Sequence, residues 1–498
     1  MIVSSIDAHA QARSSQPAVR FEDKVFTFGE LAREIDRTVY LLKKAGASAS
    51  GTVAVFCENR PEIMLLYYAM AKIGGTFVPL NAALSSQEVR YILEHAGTRV
   101  LFTDARLGEV ARDAISGTEV DLLLVDEFFA RDMTTAPRYE QNQAPTEDFL
   151  IIYTSGSTGT PKAVLYSQES EVAGNASLIE MWQMGPDDKL LVALPLGFLY
   201  GLSTSCSMAL QAGSEIIIQR RFHPRETLEA IVEHRVTAFQ GVPTMFSMML
   251  EYAEQNDLHF DLSHMRVIIS AGAPLSDDLR SRFAQRFGKE LEDYYALTEA
   301  RPIFGKYYAE GERVPHGAIG KAAPGARIIV VDSNGAAVAA GVTGEIWVRA
   351  PATTHGYFKN PELTQATFQD GLLRTGDLGH VDADGYFYLT GRIKDIIIRG
   401  GANIAPAEVE NALLAHPAVL AAAVIGIPDS KFGELPLAYI VLAPGQNPDD
   451  TELEAFASQR LAQFKLPCEY LRIDEMPLGN TGKIDKKALK TLWESGNQ

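Results

Sequence analysis

Three cysteines in 498 residues, Cys57, Cys206 and Cys468, stand in no CxxC spacing and offer nothing from which a disulfide framework or a structural zinc site could be built. A reducing cytoplasm fits that usage. Positive charge is also short: 45 Lys and Arg face 63 Asp and Glu, a formal net charge of -18. So acidic a chain lacks the clustered cations with which nucleic acid or an acidic membrane is bound. A substrate carrying phosphates must then meet a locally basic pocket. The start, MIVSSIDAHAQARSS, has neither a basic n-region nor an apolar stretch of signal-peptide length, so export is not expected. One segment, Leu190 to Ser214, is free of charge and about as long as a membrane span. Pro195, Gly197, Gly201 and four serines break it, and it reads as a soluble core passing from strand to helix.

What is present is apolar content enough, 46%, for two or three cores. The first third alternates helical and strand patterns, the habit of an α/β fold with a mainly parallel sheet. Thr27-Phe28-Gly29-Glu30 predicts a capping box ahead of the periodic Leu31, Ile35, Val39, Leu42 face. Phe149 to Tyr153 reads as a buried strand that ends in a Gly/Ser/Thr loop. From Ala326 onward short strands with glycine turns (ARIIVVD, GEIWVRA, GYFYLTG) predict a small β subdomain. Composition changes at Gly391 to Asp395, and the remainder reads β, helix, β, β, helix, a separate domain. Within it Pro406, with Glu408 and Glu410, predicts a helix start, because proline suits the first turn and carboxylates favour the positive end of the dipole.

The loop Thr154-Ser155-Gly156-Ser157-Thr158-Gly159-Thr160-Pro161-Lys162 is rich in small residues, whose amides and hydroxyls approach phosphate oxygens closely. It is not the usual nucleotide P-loop, since Pro161 precedes Lys162 and Ala163 follows it; nor does it open a helix with GxGxxG. Alone, it serves equally as a surface loop. It does not stand alone: YTSGSTGTPKAV, LPLGFLYGL, GVPT, SAGAPL, YALTE, RTGDLG, GRIKDIIIRGGANIAPAEVE, VIGIPDSKFGELPLAYIV and PLGNTGKIDKKAL follow in order. Together with TFGELAREIDRTVYLLKKAG near the start, the set resembles the adenylate-forming family of acyl-CoA synthetases, carrier-protein adenylation domains and luciferases.

That resemblance implies a large N-terminal domain of stacked α/β lobes plus the small β subdomain over 1–391, a hinge at 392–395 centred on Lys394, and a small mobile α+β C-terminal domain over 396–498. It implies ATP, Mg²⁺ and coenzyme A: a carboxylate attacks the α phosphorus, pyrophosphate leaves, and the acyl-adenylate is passed to a thiol. That step concentrates negative charge, which the metal, cations and amides must balance. Thr154, Ser155, Gly156, Thr158, Gly159 and Lys162 would hold the β and γ phosphates. Thr298 would sit at the α phosphate and Glu299 at the metal. Gly272, Ala273, Pro274 and Tyr294 would line the nucleotide, Tyr295 would stack on adenine, Asp377 would accept from the ribose hydroxyls, and Arg392 would touch ribose or phosphate. Lys483 would bridge the substrate carboxylate and the α phosphate.

Gly197, Phe198, Tyr200, Thr204, Gly241, Ala271 and Arg301 would surround the acyl group, with Phe304 nearby, and Phe198, Gly400 and Gly401 would form the thiol tunnel. Tyr200 and Thr204 bring hydroxyls into an otherwise apolar site and hint at an aromatic or substituted short or medium-chain acid. Arg301 reads either as the partner of a second substrate carboxylate or as half of a structural ion pair. Each site residue has a plainer reading too: Asp377 as a turn former, Tyr295 as a core aromatic, Lys483 as a solvated loop lysine. The chain departs from the family at Ala163, Gln168, Phe198, Ala296 and Leu372. The acceptor is coenzyme A, or alternatively a carrier-protein phosphopantetheine, and the protein is expected to be a cytoplasmic monomer or homodimer with neither a nucleic-acid partner nor a membrane span.

Overall fold

The structure is a computed structural model that describes residues 1–49, 51–131, 138–139, 148–154, 161–309, 313–443, 445–479 and 484–496. A first six-stranded sheet runs Asp121–Leu124, Val100–Thr103, Thr52–Phe56, Thr76–Leu80, Leu150–Thr154, Lys162–Tyr166, and all pairs are parallel except the last. Its four central strands are short, apolar on both faces and largely buried, as parallel strands covered by helices must be. Helix Phe28–Lys44 begins with the expected capping box, Thr27 and Glu30 each satisfying the other's backbone amide. Its Leu31, Ile35, Val39 and Leu42 stripe is buried.

A second, larger sheet has at its centre the parallel strands Glu215–Ile218, Lys189–Val192, Ala238–Gly241, Val267–Ala271 and Glu292–Leu297. Strand Ala300–Gly305 turns back antiparallel and carries the sheet into the β subdomain, whose strands Arg327–Val331, Gly344–Arg349 and Tyr386–Arg392 are the ones the glycine-punctuated pattern predicts, while Leu372–Val381, between the last two, is an addition to it. The charge-free Leu190–Ser214 stretch becomes a strand end, the connecting segment 193–199 and a wide π-type helix, Tyr200–Ser207. Among the described residues no helix is long and apolar enough to cross a membrane.

The C-terminal sheet orders Ala402–Ile404, Ile397–Arg399, Gly433–Leu442 and Val419–Asp429, with Tyr470–Arg472 beside Gly433–Leu442. Helix Pro406–Leu414 has its proline in the first turn, as expected. The first element differs from the single strand read in the sequence. Gly400 and Gly401, with φ of +58° and +85°, close a two-residue turn that makes Ile397–Ile404 a hairpin. A further strand and helix, Tyr470–Arg472 and Lys486–Gly496, complete the domain.

Candidate functional site

Thr154 and Lys162 sit directly opposite each other where the buried strand Leu150–Thr154 pairs with Lys162–Tyr166. The register therefore fixes both ends of the glycine-rich segment. Ser155, Gly156, Thr158 and Gly159 themselves lie outside the described residues, as does Lys483. The Lys162 ammonium lies over the ring of Tyr357, 5.4 Å from its centroid. The Tyr357 hydroxyl donates to Glu299 Oε1 at 2.9 Å. One aromatic side chain thus carries a cation on its face and a carboxylate on its hydroxyl. Backbone bonds hold it there: Phe358 N–H to the Ala163 carbonyl and Thr354 N–H to the Glu299 carbonyl, each at 2.8 Å. Beside it the Tyr166 hydroxyl donates to the Thr298 carbonyl. Burial, reinforced by Glu299, pushes the Tyr357 phenol far above its usual range, so it remains a donor.

Tyr357 was not found in the sequence, since its partners are long-range and nothing in THGYF sets it apart. Replacing Tyr357 by Phe keeps the ring under Lys162 and removes one hydrogen bond to a charged group, a loss of about 1.5–3 kcal/mol. The expected result is a roughly 10- to 100-fold drop in ATP-dependent pyrophosphate release, with a raised Mg²⁺ requirement and a lowered unfolding midpoint. An unchanged Mg²⁺ titration would detach Tyr357 from the Glu299 site.

Asp377, 1% exposed, is paired in register with Arg392 across the neighbouring strands Leu372–Val381 and Tyr386–Arg392. Its Oδ1 meets Arg392 Nε at 2.7 Å and its Oδ2 accepts from the Tyr295 hydroxyl at 2.6 Å. A carboxylate has about four lone-pair positions, so two remain for a diol. The Tyr295 ring is itself buried, 5.7 Å from Phe387 and 6.1 Å from Phe304. It therefore combines the plainer reading, a core aromatic, with a place beside Asp377. Gly272, with φ of +88°, starts the Gly272-Ala273-Pro274 turn at the carboxyl end of Val267–Ala271. That places it beside Tyr294, which is paired with Ala271. Carboxyl ends of parallel strands are where α/β sheets take their ligands.

On the acyl side, Gly197 and Gly201 are required by close backbone approach, since a Cβ would lie 2.5 Å from the Leu80 carbonyl at the first and 2.5 Å from the Pro195 carbonyl at the second. Phe198 and Tyr200 are half-buried and Thr204 is buried, at the start of the wide helix. Gly241 and Ala271 end neighbouring strands. Arg301 is 1% exposed, and its guanidinium pairs with Glu171 at 2.5 Å, donates to Asn175 at 3.2 Å and also meets Ser203. Glu171 accepts in addition from Tyr67 at 2.8 Å. The charge of Arg301 is thus already met inside the protein, which favours the ion-pair reading over contact with a second substrate carboxylate. Phe304 is buried in the β-subdomain core. Gly400 and Gly401 form the hairpin turn described above, and Lys394 lies in the short 3₁₀ turn Ile393–Asp395.

As for a metal, no group of three or more His, Cys, Asp or Glu that could hold an ion occurs among the described residues. Glu299 alone, half-buried and with Oε1 engaged by Tyr357, fits an ion whose remaining oxygen ligands come from phosphates and water.

The AMP-binding enzyme family matches residues 6–358, and the AMP-binding enzyme C-terminal domain matches residues 408–483. The chain is 33% identical over 500 residues to an indoleacetate–CoA ligase of Aromatoleum aromaticum, covering 98% of this chain and 97% of that protein. It is 33% identical over 503 residues to a fatty acid–acyl-carrier-protein ligase of Streptomyces coeruleorubidus, covering 98% and 96%. The structure is similar to that of ATP-bound MatB from Rhodopseudomonas palustris, with a TM-score of 0.89, 29% identity and 100% of both chains covered. This chain belongs to the AMP-binding enzyme family.

Proposed function

We propose that this protein activates an aromatic or substituted short or medium-chain acid and transfers it to coenzyme A in the cytoplasm. The underlying chemistry is that of an AMP-forming acid–thiol ligase: ATP and a carboxylic acid give an acyl-adenylate and pyrophosphate, and the thiol then displaces AMP. The single observation that carries the site reading is the shared use of Tyr357 by Lys162 and Glu299. It brings a phosphate-binding cation and a metal-binding carboxylate to one aromatic ring, the juxtaposition that a magnesium triphosphate needs.

Lys162 neutralises the outer phosphates while Thr154 holds the start of the loop that cradles them. Glu299 would hold Mg²⁺, which supplies charge compensation on the phosphate oxygens. Asp377 accepts from the ribose hydroxyls, and Arg392, paired with Asp377 Oδ1, presents its outer face to ribose or phosphate. Gly272, Ala273 and Pro274 pass close to the base. The acyl group lies between Phe198, Tyr200, Thr204, Gly241 and Ala271. The aromatic substrate of the Aromatoleum ligase supports an aryl acid here. The Streptomyces relative keeps a carrier-protein thiol as the second acceptor.

The test is pyrophosphate release against a panel of aryl and alkyl acids, followed by thioester formation with coenzyme A or a phosphopantetheinylated carrier protein. Acid-dependent pyrophosphate release with thioester only on coenzyme A supports the reading. Thioester only on the carrier protein transfers it to the second acceptor, and pyrophosphate release with no acid sinks it.

A further inference from the structure

Two phenols meet where the wide helix Tyr200–Ser207 begins and strand Glu292–Leu297 lies beside Val267–Ala271. The rings of Tyr200 and Tyr294 are 6.5 Å apart and inclined by 37°. Both hydroxyl oxygens are shut off from solvent, and neither meets a hydrogen-bond partner among the described residues. A buried hydroxyl left without a partner costs about 1–3 kcal/mol, and native proteins keep few of them. Two such groups in one place mark a site shaped for something that arrives. Burial pushes both phenols well above their usual range. Each therefore stays protonated and has an O–H to donate.

The surroundings narrow what can arrive. Tyr294 packs edge-on against the buried Trp182 at 5.3 Å. On the neighbouring strand Gly241 is packed against Phe246, since a Cβ there would lie 3.0 Å from that ring. The surroundings of the two phenols are thus aromatic and tightly filled, and suit only a compact group. Of the ionisable groups that bear on the two phenols, burial pushes the Asp293 carboxyl on the Tyr200 side up to about 7, and Arg301 on the Tyr294 side is already paired with Glu171. A charged tail would find no free counter-charge there; a neutral one needs none.

We propose that the acid activated by this enzyme is compact and carries, at the end remote from its carboxyl, a neutral oxygen acceptor such as a ring hydroxyl, methoxy or keto oxygen, held by the hydroxyls of Tyr200 and Tyr294. This rests on the acid-activating reading above and specifies its substrate. Long unbranched alkanoates, which offer the phenols nothing, are poor substrates on the same ground.

The experiment compares 3-phenylpropanoate, 3-(4-methoxyphenyl)propanoate and decanoate as substrates of the full-length protein, followed by pyrophosphate release with MgATP. The wild type should favour the methoxy acid over the plain aryl acid in kcat/KM by roughly 10-fold or more, the worth of one or two hydrogen bonds. In the double variant Tyr200→Phe/Tyr294→Phe that ratio should fall toward one. Each single variant should lie between. Phenylalanine keeps both rings, and removing hydroxyls that lack partners should leave the unfolding midpoint unchanged or higher. A ratio near one in the wild type, a ratio untouched in the double variant, or a preference for decanoate would each overturn the inference while leaving acid activation standing. A ratio untouched in the double variant would mean that the selectivity does not pass through these two hydroxyls. Pyrophosphate release from no acid at all would instead overturn the acid-activating reading, and this inference with it.

Discussion

Lys483→Ala should lose acyl-adenylate formation by roughly 10²–10³-fold, the scale of removing one preorganised donor from a developing negative charge. Supplied with ready-made acyl-adenylate and thiol, the same variant should still form thioester at a near-normal rate. The expectation follows from the roles the family resemblance implies for this domain, in which Lys483 would serve the first half-reaction and the Gly400-Gly401 turn the second, each beside the same carboxyl carbon. A rigid body could not present both, so on that reading the domain would turn about Lys394, in the short 3₁₀ turn Ile393–Asp395. Lys394→Pro should accordingly spare adenylation and block thioester formation, because proline fixes φ where the turn must pivot. Equal loss of both half-reactions in Lys483→Ala would rule out the alternation.

The second large effect falls on stability. Removing Arg301 leaves Glu171 buried with 0% of its side chain exposed and no counter-charge. Breaking such a pair from one side costs about 3–5 kcal/mol. Arg301→Met should therefore lower the denaturant midpoint sharply, whereas Arg301→Met combined with Glu171→Leu should recover most of the loss. A double-mutant cycle in urea measures the difference. If the single and double variants are equally unstable, the pair is not what Arg301 contributes. Should Arg301→Met instead fold normally and lose activity on one acid only, Arg301 would be returned to the substrate.

These two residues show where the sequence is and is not legible. Local chemistry announces itself: Thr27 with Glu30 is a cap whatever the fold, and Phe149 to Tyr153 is apolar enough to be buried in any sheet. Pro406 starts its helix for reasons confined to one turn. The hairpin Ile397–Ile404 was read as one strand because Gly400 and Gly401 look alike as spacer and as turn until both φ values are known to be positive. Thr154 and Lys162 are visible as parts of a loop, but that they face each other is a matter of register. Arg301 was open to two readings because its counter-ion lies 130 residues away along the chain. Tyr357 escaped altogether, since neither Lys162 nor Glu299 is near it in sequence. Burial and pairing across such separations are decided by the sheets, which no short window contains.

The wide helix Tyr200–Ser207 has a consequence for how this site can change. A π-type turn holds more residues than an α turn, so shortening it by one residue would restore ordinary helical winding. Each residue advances the azimuth by about 100° in an α-helix and by less in the wider turn, so the side chains within the segment would change azimuth while the flanking helix keeps its register. Tyr200, Ser203 and Ser205 now point in turn to Tyr294, to Glu171 and to Gln240. Loss of one codon would redistribute those assignments in a single step. In this segment chain length, as much as residue identity, sets which neighbours the side chains reach.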